Sequence, residues 1–273
     1  MFYIFLKLLS ESLLSFYPAM VKYINFPLIN QLWARLVIYT IISLFFINYK
    51  NIFSKIFSLI GLLLAGVNLI HIYSSYLGFQ KLDSGVAYSL FYTYPFFILL
   101  FSGNPILLIY LLPLVGIIFL TYSSWKEQSK KNLIIGIIAI LIASLTETGI
   151  YFIVKRLNEK NSWIPLFIAY FLPSLLITAI LNKNVIPKEE IKNKTKLVLL
   201  LVGNAVIGSL GYFLRFYTIN KLSTMTYSSL SYFGIFMAYV YGWILNKELV
   251  NWEKIVGSIL IIGSGIYLNY NYV

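Results

Sequence analysis

The sequence lacks cysteine altogether and contains a single histidine, and only 9 of its 273 residues are acidic. Without cysteine there is no disulfide framework, no thiolate metal site and no cysteine nucleophile. A lone His71 makes a histidine-based zinc site implausible. Charged residues make up 11% of the chain, against roughly 25% in an average soluble domain. The scarcity of charge beside so many apolar residues also excludes a disordered chain.

Apolar side chains are what the sequence has in excess. Hydrophobic residues make up 60% of it, and the mean hydropathy is +0.83. A soluble protein of this length cannot hide so much apolar surface from water. The net charge of +12 lies in short gaps between apolar runs, which is typical of loops beside lipid headgroups. The sequence therefore predicts an integral membrane protein with the lipid bilayer, and not nucleic acid, as its partner.

Ten apolar stretches approach or exceed the roughly 20 helical residues that cross a hydrocarbon core. The run 133–143 is apolar at every position, which excludes the alternation of a membrane β-barrel strand. The first stretch lacks a basic leader and a clean cleavage site, so we expect a retained helix. These features predict an all-α membrane protein with ten transmembrane helices. The predicted spans are 2–21, 27–47, 56–78, 83–102, 105–123, 132–154, 163–181, 196–219, 223–245 and 252–271.

The chain also resembles itself at an offset of 140 residues. Lys81-Leu82 matches Lys221-Leu222, and Tyr92 matches Tyr232. A second echo, Val21-Lys22 against Val154-Lys155, respects the same order of spans. Each copy holds five helices, and an odd number makes the second copy enter from the opposite side, as in many secondary transporters. We therefore expect two inverted five-helix repeats, residues 1–123 and 132–273, with a linker at 124–131.

Several of these segments resemble the EamA-like branch of the drug/metabolite transporter superfamily. Residues 15–22 resemble the end of its first helix, which closes with a lysine, here Lys22. Trp33-Ala-Arg35 resembles its second helix with an embedded arginine, and residues 82–95 resemble its fourth helix. In the second half, 222–241 followed by Glu248 and then 252–265 resemble its ninth and tenth helices.

Two positions depart from the pattern of that family. Residues 102–105 stand where the family has a glutamate, and Ile235 stands where it usually has a proline. The resemblance implies a secondary transporter of amino acids or related metabolites, with a central cavity surrounded by helices one, three, four, six, eight and nine. It also implies export in most bacterial members, with import or exchange of S-adenosylmethionine-like or nucleotide-type solutes as the alternative.

Ionisable residues inside a span are costly, and each is a candidate functional residue. Glu147 lies near the middle of its span, where it either binds a substrate amine or carries a proton, or is a structural partner of an arginine. Arg35 either binds a carboxylate bidentately or holds two helices together. Arg215 lies about 12 Å past the middle of its span, where it either takes part in substrate binding or coupling or snorkels to the interface. Glu11 either lines a cavity or pairs with a neighbour.

Neutral and aromatic candidates accompany these charges. Asn68 and His71 are three residues apart and share a helical face. His71 either couples proton movement or is a satisfied hydrogen-bonding residue. Tyrosines in the fourth and ninth spans either form a cavity wall for aromatic or apolar solutes or pack between helices. The candidates among them are Tyr88, Tyr92 and Tyr232.

Small residues predict one helix–helix contact. Gly257 in the tenth span and Gly116 in the fifth allow close approach of two membrane helices. We expect these two spans to pack together away from the cavity.

The basic residues give conflicting indications of orientation. Seven basic residues, Lys7 among them, lie on the side of the termini, and twelve, including Lys254, lie on the opposite side. By the positive-inside rule, this excess places the termini outside. The resemblance places both termini in the cytoplasm of a plasma or inner membrane, and we adopt that expectation.

The sequence offers no catalytic cluster, metal-ligand spacing or Walker motif, so we expect neither an enzyme nor a cofactor. The remaining functions are a secondary transporter for a small molecule, with protons as a candidate coupling ion, and a non-transporting membrane scaffold. A monomer and a homodimer both remain open.

Overall fold

The computed structural model describes residues 1–102, 115–120, 122, 130–181 and 194–270, and the regular structure of these residues is entirely helical. Lipid offers no hydrogen-bond partners to a backbone, so an apolar chain of this kind satisfies its own amides within helices. The helices are α1 (Phe2–Leu14), α2 (Phe16–Ile24), α3 (Leu28–Leu44), α4 (Ile52–Ile56), α5 (Leu59–Lys81), α6 (Ser84–Phe91), α7 (Tyr94–Phe101), α8 (Lys130–Leu157), α9 (Trp163–Leu181), α10 (Lys194–Ile219), α11 (Thr224–Ser231), α12 (Phe233–Asn246) and α13 (Trp252–Tyr270).

Seven segments of the described chain are long and apolar enough to cross a membrane. Helix α3 is apolar but shorter. Most of the predicted span 105–123 lies outside the described residues, and the described part, 115–120, is helical. The seven segments are Phe2–Ile24, Leu59–Lys81, Ser84–Phe101, Lys130–Leu157, Trp163–Leu181, Thr195–Ile219 and Thr224–Asn246.

Three of the predicted spans are interrupted by one or two residues in the structure, although each remains long and apolar enough as a whole to cross a membrane. The first span breaks at Ser15, the 83–102 span at Tyr92–Thr93, and the 223–245 span at Tyr232. Pro18 and Pro95 follow two of these breaks by two or three residues, and a proline inside a helix removes one backbone hydrogen bond. The third break has no proline, because Ile235 stands at the corresponding place.

The carbonyls that proline leaves free are satisfied by side chains from other helices. Pro18 cannot bond the carbonyl of Leu14, four residues earlier, and the Tyr88 hydroxyl donates to that oxygen. Pro173 likewise leaves the carbonyl of Ala169 free, and the Asn68 amide donates to it at 2.8 Å. Side chains of α6 and α5 therefore satisfy the carbonyls that proline leaves free in α1 and α9.

Helices of the first half of the chain pack mainly against helices of the second half. The most extensive contacts join α5 to α8, α1 to α10, and α3 to α9, while α12 packs on α2 and α6. Leucine and isoleucine side chains on the outside remain exposed, as expected for surfaces that face lipid. On α8 these are Ile134, Ile138, Ile142 and Leu145.

The predicted contact between the two glycine-bearing helices is confirmed. A Cβ atom on Gly257 would lie 2.8 Å from the carbonyl oxygen of Gly116, and one on Gly116 would lie 2.7 Å from that of Gly257. Only glycine permits this approach of the two backbones. Gly257 also faces Leu120, so it lies within a helix–helix contact and not beside the buried charges described below.

Candidate functional site

A group of ionisable side chains lies buried between helices, and we call it the charge cluster: Lys7, Glu11, His71, Glu147 and Arg215. All are at most 2% exposed. Periodicity explains the inward position of Glu147, since Ala139, Ile140 and Ala143 share its buried face of α8. The opposite face carries the exposed isoleucines. Glu147 lies ten residues before the end of α8, or about 15 Å along the helix axis at 1.5 Å per residue.

Arg215 is the centre of the charge cluster. Its Nη1 donates to Glu147 Oε1 at 2.7 Å, and its Nη2 donates to Glu11 Oε2 at 2.7 Å. The guanidinium thus joins carboxylates from α1 and α8, and two such charge-assisted bonds are the strong kind. Of the two alternatives for Arg215, snorkelling is excluded, because the side chain is 1% exposed and turns inward to two carboxylates. Of the alternatives for Glu147 and Glu11, the structure shows both paired with a neighbour.

Lys7 is a member of the charge cluster that the sequence analysis used only in the count of basic residues on the side of the termini. Its ammonium group pairs with Glu11, one helical turn away, and lies 3.5 Å from the centre of the Tyr227 ring. Glu11 also accepts a hydrogen bond from Tyr92. The signal that could have identified Lys7 is its i,i+4 spacing from Glu11 within an apolar stretch.

His71 borders the charge cluster and is fully hydrogen-bonded. Its Nδ1 lies 3.0 Å from the Ala143 carbonyl, which can only accept, so Nδ1 carries the proton. In the neutral ring, Nε2 then accepts from the Tyr212 hydroxyl at 2.9 Å. Nε2 also lies 3.4 Å from Glu147 Oε2. If the ring is protonated, this carboxylate is therefore already in place as its ion-pair partner.

Arg35 occupies a different environment, which we call the tyrosine cage: Tyr17, Tyr39, Tyr76, Tyr170 and Tyr212. The centre of its guanidinium lies between 4.4 and 5.8 Å from the five ring centres. Such distances are typical of cation–π contact. Nη2 donates to the Tyr170 hydroxyl at 2.9 Å, and Nε has no hydrogen-bond partner among the described residues. The side chain is 2% exposed.

The tyrosine cage is closely packed and adjoins the charge cluster. The Tyr39 and Tyr170 rings stack with their centres 4.4 Å apart, and the Tyr17 and Tyr39 hydroxyls share a hydrogen bond. Gly208 makes room for both hydroxyls, because a Cβ there would lie 1.6 Å from the Tyr17 oxygen. Tyr212 belongs to the cage through its ring and reaches the charge cluster through its hydroxyl. Of these tyrosines, the sequence singled out none.

The other predicted residues take structural positions around these two groups. Asn68 donates to the backbone of α9 as described, and its Oδ1 has no partner among the described residues. Tyr88 donates to the free carbonyl of Leu14 at the end of α1, and Tyr92 joins the charge cluster through Glu11. The Tyr232 hydroxyl is buried without a hydrogen-bond partner in the described chain.

A second ionic group closes one end of the molecule, and we call it the end cluster: Lys22, Asp83, Glu248 and Lys254. Lys22 donates to Asp83 at 2.8 Å and to Glu248 at 3.0 Å, and Lys254 donates to Asp83 at 3.0 Å. Burial tends to raise the pKa of Asp83, but the nearby ammonium groups of Lys22 and Lys254 lower it below its ordinary value. Lys254, counted among the loop charges, is 1% exposed.

The end cluster also completes the start of α6. Glu248 accepts from the backbone amide of Ser84 at 2.7 Å and from its hydroxyl at 3.0 Å. A carboxylate at a helix N-terminus compensates unpaired amides and the helix dipole. The group therefore ties α2, α6 and α13 to the segment after α12.

No group of histidine, cysteine and carboxylate side chains that could hold a metal ion occurs in the part of the chain described here. An all-helical chain with several apolar membrane-length helices and charges buried between them is an integral, multi-pass membrane protein. The chain belongs to the EamA-like transporter family, which matches residues 134–270, half of the sequence. It is therefore a membrane transporter of small solutes.

A solved crystal structure has the same fold. It superposes with a TM-score of 0.66, covers 99% of this chain and 99% of its own, and is 10% identical in sequence. At that identity the likeness shows the fold alone. A comparison with curated proteins gave no match.

Proposed function

We propose that the chain is a secondary active transporter that exports a small organic metabolite, an amino acid or a related compound, by alternating access. The proposed architecture is ten spans in two inverted repeats, residues 1–123 and 132–273 with a linker at 124–131. The interrupted helices support it, because α6 (Ser84–Phe91) and α11 (Thr224–Ser231) are equally long and lie 140 residues apart. Broken helices near a central site are a feature of such transporters.

The charge cluster is the observation that carries this proposal. Arg215 comes from the second proposed repeat and Glu11 from the first, so their ion pair crosses between the two halves, while Glu147 holds Arg215 from within the second. Buried charges are expensive in a membrane, and a scaffold has no need of them. A movement of one half against the other must break and remake the Arg215–Glu11 pair, which gives the transporter two discrete arrangements.

Glu147 and His71 supply a candidate route for coupling to protons. A carboxylate and an imidazole 3.4 Å apart can share one proton, and the Tyr212 hydroxyl contacts both. Binding of a proton to this pair weakens the hold of Glu147 on Arg215, because a neutral carboxyl attracts a guanidinium less strongly. Proton binding and rearrangement of the charge cluster are thereby linked.

The end cluster is the proposed closure on one side. Its four charged side chains tie together four segments that must separate if a solute is to leave through that end. Lys22 is the most exposed of the four side chains, at 33%, so water that reaches Lys22 can hydrate the charges as the closure opens. The termini are proposed to lie in the cytoplasm, and a reporter fused after Val273 that is active only outside would contradict this.

The proposal is tested with purified protein in liposomes loaded with single amino acids and given a pH gradient. Wild-type protein should release at least one solute in a gradient-dependent manner, whereas Glu147→Gln should reduce the flux at least tenfold, or about 1.4 kcal/mol. Glu159→Gln, the same change at the half-buried ion pair with Lys55, is the matched control and should leave the flux unchanged.

Two further results separate the roles of Glu147. If Glu147 only balances Arg215, the double change Glu147→Gln with Arg215→Gln should restore both stability and flux. Normal flux in the single variant contradicts both readings. Solute uptake in place of release favours an importer or exchanger, and absence of gradient-dependent flux for every solute in wild-type liposomes refutes transport.

A further inference from the structure

The buried charges at the centre of the protein do not balance. Lys7 and Arg215 face Glu11 and Glu147, and these four side chains sum to zero. Arg35 adds a fifth formal charge, and no described carboxylate lies within ion-pair distance of it. Tyr212 connects the tyrosine cage to the charge cluster, so the two form one continuous buried region with a net charge of about +1 when His71 is neutral.

The tyrosine cage compensates this charge only in part. Cation–π contacts recover only part of the hydration free energy that a buried charge loses. One hydrogen bond to a neutral hydroxyl is weaker than a bond to an anion. The Nε–H, buried and unpartnered, is a donor that the protein itself leaves unused, and an unused buried donor has a cost of its own.

We propose that Arg35 and the tyrosine cage bind the carboxylate of the transported solute, an inference that rests on the proposed transport function. A carboxylate supplies the missing negative charge, and its two oxygens match the donors along one edge of a guanidinium. The cage is made of flat aromatic walls, two of them already stacked. It therefore suits a carboxylate attached to a planar or apolar group.

The position of Arg35 connects binding to movement. The guanidinium belongs to α3, its hydrogen-bond partner Tyr170 to α9, and Tyr212 to α10, so the cage joins elements from both halves of the chain. A carboxylate that binds Arg35 competes with Tyr170 for the guanidinium and comes near the hydroxyl of Tyr212, which also contacts Glu147 and His71. Tyr212 therefore links the proposed solute site to the proposed proton site.

The first test needs no knowledge of the solute. Arg35→Gln removes an uncompensated charge, so the empty variant in detergent should unfold at the same temperature as wild type or at a higher one. Arg156→Gln, at an exposed arginine at the end of α8, is the matched control and should show no change. A clear loss of thermal stability in Arg35→Gln alone overturns the proposal, because Arg35 would then be a structural tie between helices.

The second test measures binding with pairs of probes that differ only in charge at the carboxyl group. The pairs are phenylacetate with phenylacetamide, benzoate with benzamide, and L-phenylalanine with L-phenylalaninamide. At least one carboxylate should stabilise wild-type protein against heat, with an affinity at least tenfold above that of its amide. Arg35→Gln should remove this preference, Arg35→Lys should retain a weak one, and Arg156→Gln should preserve it.

Each other outcome of the binding test is decisive. Failure of all carboxylates to stabilise the wild-type protein overturns the proposal, as does a carboxylate preference that survives Arg35→Gln. Equal stabilisation by inorganic phosphate through Arg35 replaces the carboxylate with a general oxyanion and also overturns it. Solute flux in liposomes that is independent of Arg35 leaves the transport function standing while refuting this site, so the two proposals fail separately.

Discussion

Two buried arginines, Arg35 and Arg215, contact the same Tyr212 ring, and they are buried in opposite ways. Arg215 faces two carboxylates at 2.7 Å, whereas Arg35 faces five tyrosine rings and no described carboxylate. Both side chains are at most 2% exposed. Burial alone therefore does not distinguish them, and only their partners do.

The difference separates a buried charge that the protein neutralises with its own carboxylates from a buried charge that is left available to a bound molecule. A guanidinium balanced by carboxylates of the same chain is satisfied in the empty protein. A guanidinium balanced by aromatic faces is tolerated but not neutralised, and it retains attraction for an anion from outside. Each of the following changes tests whether these two environments differ as described.

The largest effect is expected at Arg215. The change Arg215→Gln leaves Glu11 with Lys7 as its only cation and Glu147 with none, so the free energy of unfolding should fall by about 3–5 kcal/mol. Thermal unfolding of the purified protein in detergent measures it, with Arg156→Gln as the control. Stability equal to that of the control contradicts a compensated charge cluster.

The next effect is expected in the tyrosine cage. The change Tyr170→Phe keeps the ring but removes the hydroxyl that accepts from Arg35, and bonds to charged groups contribute about 1.5–3 kcal/mol. The loss of stability should disappear in the double change with Arg35→Gln, since the unpaired donor is then gone. Additive effects in this double-mutant cycle would show that the two side chains are not coupled.

A smaller effect is expected when a balanced pair is removed as a unit. The double change Lys7→Met with Glu11→Gln deletes one positive and one negative charge and leaves Arg215 with Glu147. Replacement of a whole buried ion pair by neutral groups is often close to neutral, so unfolding should change by about 1 kcal/mol or less. Lys7→Met alone and Glu11→Gln alone should each lower the free energy of unfolding by more than the double change does. A single change that lowers it no more than the double change contradicts the pairing.

The smallest effect is expected at the end cluster, where the charges are nearer to water. Because the pKa of Asp83 is lowered in the folded protein, its ion pairs stabilise the fold above its ordinary pKa, and this contribution is lost as the pH falls through the folded value. Thermal unfolding from about pH 6 down to about pH 3 should show an acid-side loss of about 0.5–1 kcal/mol. Asp83→Asn should lack it, and an unchanged acid profile in Asp83→Asn contradicts this assignment.

Much of the fold was predictable because lipid imposes simple rules on a sequence. Apolar length identified helices such as α8 and α10, and the cost of charge in a membrane singled out Glu147, Arg35 and Arg215. The glycine positions predicted the contact of Gly116 with Gly257. These predictions depend on local composition, which a single stretch of chain contains in full.

The partners of those residues were not predictable. Lys7 was used only in the count for orientation, and Arg215 was left between a site residue and a snorkelling one. The local sequence does not indicate which helix packs opposite a given residue. The helix breaks at Ser15 and Tyr232 also escaped prediction, since their stabilising contacts come from distant segments, such as the bond from Ser15 to the Gly234 carbonyl at 2.8 Å.

The sequence by itself determined that this is a helical, integral membrane protein, and which few charged residues lie within its membrane spans. Those properties follow from hydropathy and helix length, which act along the chain. Only the tertiary structure decided that Arg215 is neutralised by Glu11 and Glu147 while Arg35 is enclosed by tyrosines. Ion pairing and cation–π contact depend on distances of a few ångströms between segments far apart in sequence, and packing of the helices alone sets those distances.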